Sequence, residues 1–158
     1  MTAYFTLKFL HIIGATVLFG TGAGIAFFMV VAHWSGVPVV IASVARIVVI
    51  ADYVFTATAV VVQPITGALL VREVGYAYTD AWVMGSIVLY LVTGAFWLPV
   101  VFMQRRMRDL ARAAVAAGAP LPHAYHVLFR CWFAFGFPAF AAVLAIFWLM
   151  IAKPPSLW

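Results

Sequence analysis

The chain has 158 residues, 68% of them hydrophobic and 8% charged, with a formal net charge of +5 and a mean hydropathy of +1.16. That is more apolar surface than one small water-soluble core can hide, which excludes a soluble domain and, with it, a nucleic-acid site for the positive charge. Cys131, the single cysteine, excludes an intrachain disulfide. Catalytic triads of the soluble type, phosphate-binding loops and paired glycosidase carboxylates are absent.

About 20 consecutive apolar residues cross a hydrocarbon layer roughly 30 Å thick. Four runs are long enough, at residues 5–32, 47–71, 81–103 and 128–152. Each is continuous where a barrel strand would alternate, and each is about twice a barrel strand's length. The expected fold is all-α, an integral membrane four-helix transmembrane bundle, as one domain over residues 1–158. Within the first run Lys8 precedes a hydrophobic stretch as in a secretory signal, but the run is too long for one and no small-x-small cleavage pattern closes it, so it is expected to remain a helix.

The first run carries KFLHIIG, with His11 where apolar side chains cost less. At 100° per residue, Ala15, Leu18 and Gly22 fall within about 60° of the His11 direction and Gly14 borders it. A flat ligand could lie along that face of small side chains. Gly20 and Gly24 form a GxxxG, a spacing suited to close helix approach. His33 lies 22 residues beyond His11, roughly 33 Å along the axis, so one chain cannot supply both histidines to one haem.

The second run contains Asp52, an acid inside a membrane segment. Arg46 is about 240° around the helix from it, and Arg130 or Arg105 is the better-placed partner for a structural ion pair; a proton relay is the alternative. Pro64, Pro99 and Pro138 interrupt the last three runs, and each frees a carbonyl that a neighbour must satisfy. Counted from the outer boundary at about 1.5 Å per residue, Gln63, Thr66, Ser86 and Tyr90 reach the level of His11. After the third run, Met107, Leu110, Ala111, Ala114 and Val115 recur at helical spacing until Gly118, Pro120 and Pro122. Residues 104–117 are therefore expected to form an amphipathic segment near the inner headgroups. His33, His123 and His126 gather at the same end, either as a zinc or copper site or as three unrelated interfacial side chains.

Orientation follows the basic residues. Arg46, Arg105, Arg106, Arg108, Arg112 and Arg130 flank one side, six of the nine Lys and Arg, against Lys8, Arg72 and Lys153 on the other. The arginine side is expected to be cytoplasmic, in a bacterial inner membrane, with both termini outside.

Taken together, KFLHIIGATVLFGTGAGIAFFM, ARIVVIAD, QPITG, LYLVTGAFWLPVVFMQRRMRDL and FRCWFAFGFPAFAAVLAIFWLM resemble a bacterial family of small four-helix membrane proteins without an assigned function. The KxLHII opening is more distantly similar to HemJ-type protoporphyrinogen oxidases and to the CopD copper-resistance group. The HemJ resemblance implies haem b with His11 as the metal ligand. Its surroundings would come from Gly14, Gln63, Met84 and Tyr90, with Gln63 holding the other ring nitrogen and Met84, Tyr90, water or a second chain opposite, the last making a homodimer. An oxidoreductase role would be electron transfer or porphyrinogen oxidation, with a quinone or porphyrin as small-molecule partner. Copper or other small-solute transport, and a membrane scaffold without catalysis, remain the other two readings. A topology reporter fused after Ala117 is expected to read cytoplasmic and one at the C-terminus periplasmic; the reverse result would invert the orientation.

Overall fold

The computed structural model describes residues 2–156. Helix α1 (Thr2–Ser35) turns at once into α2 (Pro38–Ala51), a π-helical turn (Asp52–Thr56) and α3 (Ala57–Val74), followed by α4 (Ala81–Ala116) and α5 (His123–Ala152). The π turn joins α2 and α3 into a single span, Pro38–Val74, so four helices are long and apolar enough to cross a membrane. No strand is present among the described residues. The expected four-helix membrane bundle is the observed fold.

Local chemistry sets the breaks. Gly36 adopts φ +66° and donates its N–H to His33 O, a left-handed step open to glycine at little cost. Pro38 then opens α2 at its first turn, where a missing N–H removes no helical bond. At the far end of α4, Gly118 at φ +60° stops the helix where the sequence places its stop. Pro64, inside α3, cannot donate to Val60 O, and the Tyr90 hydroxyl of α4 donates to that carbonyl instead. The freed acceptor at this depth is thus matched from a neighbouring helix, as hydrocarbon requires.

The helices overrun the hydrocarbon. A span of 36 residues is about 54 Å long against a layer of roughly 30 Å. The arginine-bearing ends account for most of the excess: α1 continues to Ser35, α2 starts at Pro38, α4 runs on to Ala116 and α5 starts at His123. Residues 104–116 therefore do not form a separate segment lying on the headgroups but complete α4. Its Met107 and Ala111 are buried with Ile25, Met29 and Ala32 of α1, Ile41, Ala45 and Val48 of α2, and Tyr125, Phe129 and Trp132 of α5. Where helix ends reach water, an apolar stripe gains more by packing on three other helices than by resting against headgroups.

Away from the arginine-bearing ends, on the side expected to face outward, the bundle is looser. There α1 packs on α3, and α4 on α5, while Phe19 of α1 stacks on Phe140 and touches Phe147. A Cβ at Gly20 would meet nothing within 4 Å, and one at Gly24 would meet Phe28 of its own helix, so the GxxxG pair brings no two helices of this chain together. A small outer cluster of Val71, Trp82, Val83 and Leu149 closes that end. Over it, Lys153 Nζ sits 4.7 Å from the Tyr76 ring centroid and 5.3 Å from that of Trp82.

The Tyr90–Val60 bond yields a double-mutant test. Tyr90→Phe leaves the Val60 carbonyl without a donor and is expected to cost about 1–3 kcal/mol in detergent unfolding measurements. In a Pro64→Ala background the new backbone N–H supplies that donor, so the same substitution should cost markedly less.

Candidate functional site

Two polar clusters lie within the bundle, one toward each side. The outer one is built on His11. Gly14, one turn further along α1, is buried, and a Cβ there would lie 3.4 Å from Gln63 Cδ. The two helices approach closely enough for His11 Nδ1 to lie 2.8 Å from Thr66 Oγ1. Thr66 Oγ1 also lies 2.9 Å from Val62 O and 3.2 Å from Gln63 O. Carbonyl oxygens only accept, and a hydroxyl has one hydrogen to give. Either Thr66 gives that hydrogen to the backbone and accepts from His11 Nδ1–H, or it donates to Nδ1, according to the imidazole tautomer. The ring is thus held against α3, through Nδ1 by the Thr66 hydroxyl and by a hydrogen bond to the Gln63 backbone.

Gly67 completes the fit, since a Cβ at that position would stand 3.2 Å from His11 Cε1 and would press on the ring. Beside it, Gln63 Oε1 is buried with no hydrogen-bond partner. An apolar groove of about 270 Å³ runs alongside, with Leu10, Ile13, Gly14, Val54, Phe55 and Val62 in its walls. Of the residues expected around His11, Gly14 and Gln63 are there. Met84 and Tyr90 belong to α4, which packs mainly on α5 and α2. Met84 is 49% exposed, and the Tyr90 hydroxyl is committed to Val60 O. The ring meets the Thr66 hydroxyl and, of Gln63, the backbone.

An imidazole with one ring nitrogen held by a protein partner can offer the other to a metal. No three His, Cys, Asp or Glu side chains are grouped to hold a metal ion among the described residues. The cluster therefore offers one imidazole as its protein ligand. It does not fit a bare ion that needs several protein ligands.

The inner cluster surrounds Asp52, which is 3% exposed. The expected ion pair with Arg130 or Arg105 is not formed. Trp97 Nε1 donates to Asp52 Oδ1 at 3.3 Å. With its amide nitrogen turned toward the carboxylate, Gln104 donates to Oδ2 at 3.1 Å and accepts from Trp132 Nε1 at 3.2 Å. Arg105 donates to the Tyr53 hydroxyl at 3.3 Å, Arg130 is exposed, and the ion pair found among the described residues is Arg108–Asp109 at 2.8 Å. Neutral N–H donors replace a counter-ion because burying a second charge would add its own desolvation cost. The carboxyl group therefore links the π turn to α4 directly and to α5 through Gln104. Without a cation beside it, any proton it gains or loses changes the buried charge by a full unit.

The three inner histidines form no group that could hold a metal ion among the described residues. His33 stacks on Phe129, with ring centroids 3.6 Å apart and 9° between planes, and its Nδ1 is 3.3 Å from the Tyr125 hydroxyl. His126 meets the His33 ring edge-on at 5.8 Å. His33 is engaged in packing.

The model of DUF2269, described as a predicted integral membrane protein, matches residues 5–154. The chain belongs to this family. No curated protein and no solved structure matches it. Family membership therefore agrees with the four spans and adds no assigned chemistry to the two polar clusters.

Sequence reasoning missed Gly67, Trp97, Gln104 and Trp132. Gln104 left a trace: it is the polar residue seven positions after Trp97 in an otherwise apolar stretch, two turns along the same helix face. Because hydrogen bonds and not ion pairs hold Asp52, Gln104→Leu should lower stability by about 1–3 kcal/mol. Arg130→Gln and Arg105→Gln should each change it by no more than about 0.5 kcal/mol. Thermal unfolding of the three variants in one detergent compares them directly.

Proposed function

We propose that the chain is a haem b-binding membrane protein with a redox role, in the bacterial cytoplasmic membrane, with His11 as an axial ligand. The observation that supports this reading is the His11 ring itself, held against Thr66 through Nδ1. A neutral imidazole inside a membrane helix is costly unless its lone pair is used. Iron in a porphyrin is a frequent user of that lone pair in proteins. The distant similarity of the KxLHII opening to HemJ-type proteins points the same way and makes porphyrinogen oxidation the alternative to electron transfer.

In this reading Thr66 fixes the plane of the ring, and Gly67 leaves room for the ring to lie flat against α3. Gly14 lets α1 approach α3 so that both can act. The buried Gln63 Oε1 is an unused acceptor close to Gly14, available to an N–H or O–H donor on a bound molecule. Haem, when held, supplies one-electron chemistry. A quinone or a porphyrin is the class of partner that reaches such a site from the bilayer.

The test is an optical spectrum of purified protein, as isolated and after dithionite, from cells supplied with ample haem. A Soret band is expected in the wild type and in His33→Ala and His126→Ala, and its loss is expected in His11→Ala with all four spans still inserted. Thr66→Val should retain the band but weaken haem retention by about 10–100-fold, the usual effect of removing a ligand's hydrogen-bond partner. Colourless wild-type protein, or a His11→Ala variant that keeps its haem, overturns the assignment.

A further inference from the structure

The inner ends of α2 and α4 leave a cleft of about 490 Å³ between them, lined by Ala42, Ser43, Arg46 and Arg112. Ser43 and Arg46 are one turn apart on α2, and Arg112 faces them from α4. Two guanidinium groups thus border one cleft from opposite helices. Like charges on one cleft repel, and such an arrangement calls for negative charge between them.

That charge does not come from within the chain. There are four acidic side chains in all, and each can be located. Asp52 is buried among Trp97 and Gln104, and Asp109 is bonded to Arg108. Glu73 is in the last turn of α3 and Asp80 caps α4, both at the opposite end of the bundle. Neither Arg46 nor Arg112 has a hydrogen bond or ion pair among the described residues. Arg105 is held by Tyr53 and Arg108 by Asp109, whereas Arg106 and Arg130 are exposed like Arg46 and Arg112 but do not line the cleft.

We infer that this cleft is a binding site for a phosphate group, gripped by Arg46 and Arg112 with the Ser43 hydroxyl as a third donor. Guanidinium forks match phosphate oxygens in pairs, and two of them on separate helices would clamp the group from both sides. Arg46 lies six residues beyond Asp52, roughly 9 Å along α2 toward the arginine-rich end. That distance puts the cleft where lipid headgroups meet water, within reach of an acidic phospholipid or of a free phosphate compound. Binding would hold α2 and α4 together at the end where the four helices are packed most tightly, and it is independent of whatever His11 ligates.

The experiment uses the full chain in nanodiscs. In one arm, phosphatidylglycerol is mixed into phosphatidylcholine discs and the lipid kept through detergent release is counted by native mass spectrometry. In the other, inorganic phosphate is titrated onto phosphatidylcholine discs and the melting temperature is followed. Arg46→Gln, Arg112→Gln and their double variant are compared with Arg106→Gln, which removes an exposed arginine outside the cleft. The wild type and Arg106→Gln should keep phosphatidylglycerol or be stabilised by phosphate. Each cleft variant should weaken that response by about tenfold or more while melting within a few degrees of wild type in the unliganded discs. A response confined to the lipid arm assigns the site to a headgroup, and one confined to the phosphate arm assigns it to a soluble phosphate compound. Absence of both responses in the wild type, or equal losses in Arg106→Gln and the cleft variants, overturns the proposal.

Discussion

Hydrocarbon offers no hydrogen bonds, and the arrangement of this bundle follows from that constraint. A polar group that the sequence carries into the membrane gains from a partner on its own helix or on a neighbouring one. Three pairings do most of this. Tyr90 reaches the carbonyl that Pro64 leaves free, Thr66 receives the His11 ring, and Trp97 and Gln104 serve Asp52. Each crosses between helices, so the same bonds that satisfy buried atoms also select which helices are neighbours. Lipid tails are as apolar as leucine and exert little preference of their own.

Apolar burial is distributed differently. The largest core joins Met29, Ile41, Met107 and Tyr125, all of them fully enclosed, at the end where the helices outrun the bilayer. Water drives side chains together there as it would in a soluble protein. Toward the other end the helices are largely lipid-facing, with no more than 33% of any span's most apolar window buried. The molecule is thus a tight inner bundle continuing into a looser outer one, with Asp52 near the transition and His11 in the looser part.

The sequence made much of this legible, unevenly. Four spans followed from run length alone. Counting residues from the outer boundary brought Thr66 and Gln63 to the level of His11, because two antiparallel neighbours of regular pitch keep their depths in step. The choice between the two depended on how α3 is rotated about its axis, which depth does not contain. Asp52 was misassigned by pairing charge with charge, when indole and amide N–H groups suffice. Residues 104–116 were separated from α4 because hydropathy falls at the arginines. Yet arginine, alanine, leucine and methionine are among the strongest helix formers, and nothing in RRMRDLARAA stops the helix before Gly118.

The five-residue turn Asp52–Thr56 carries a mechanical consequence. A π turn holds one residue more than an α turn, so it sets the rotational phase of α3 relative to α2. Rewinding it to α geometry would turn α3 by about 100° and swing Thr66 away from the His11 ring. Asp52 opens that turn, its side chain anchored to α4 while its backbone carbonyl accepts from the Ala57 N–H. A change in how Asp52 is held would therefore be felt as torque at the far end of the same helix, making α3 a shaft that couples the carboxyl group to the orientation of the imidazole.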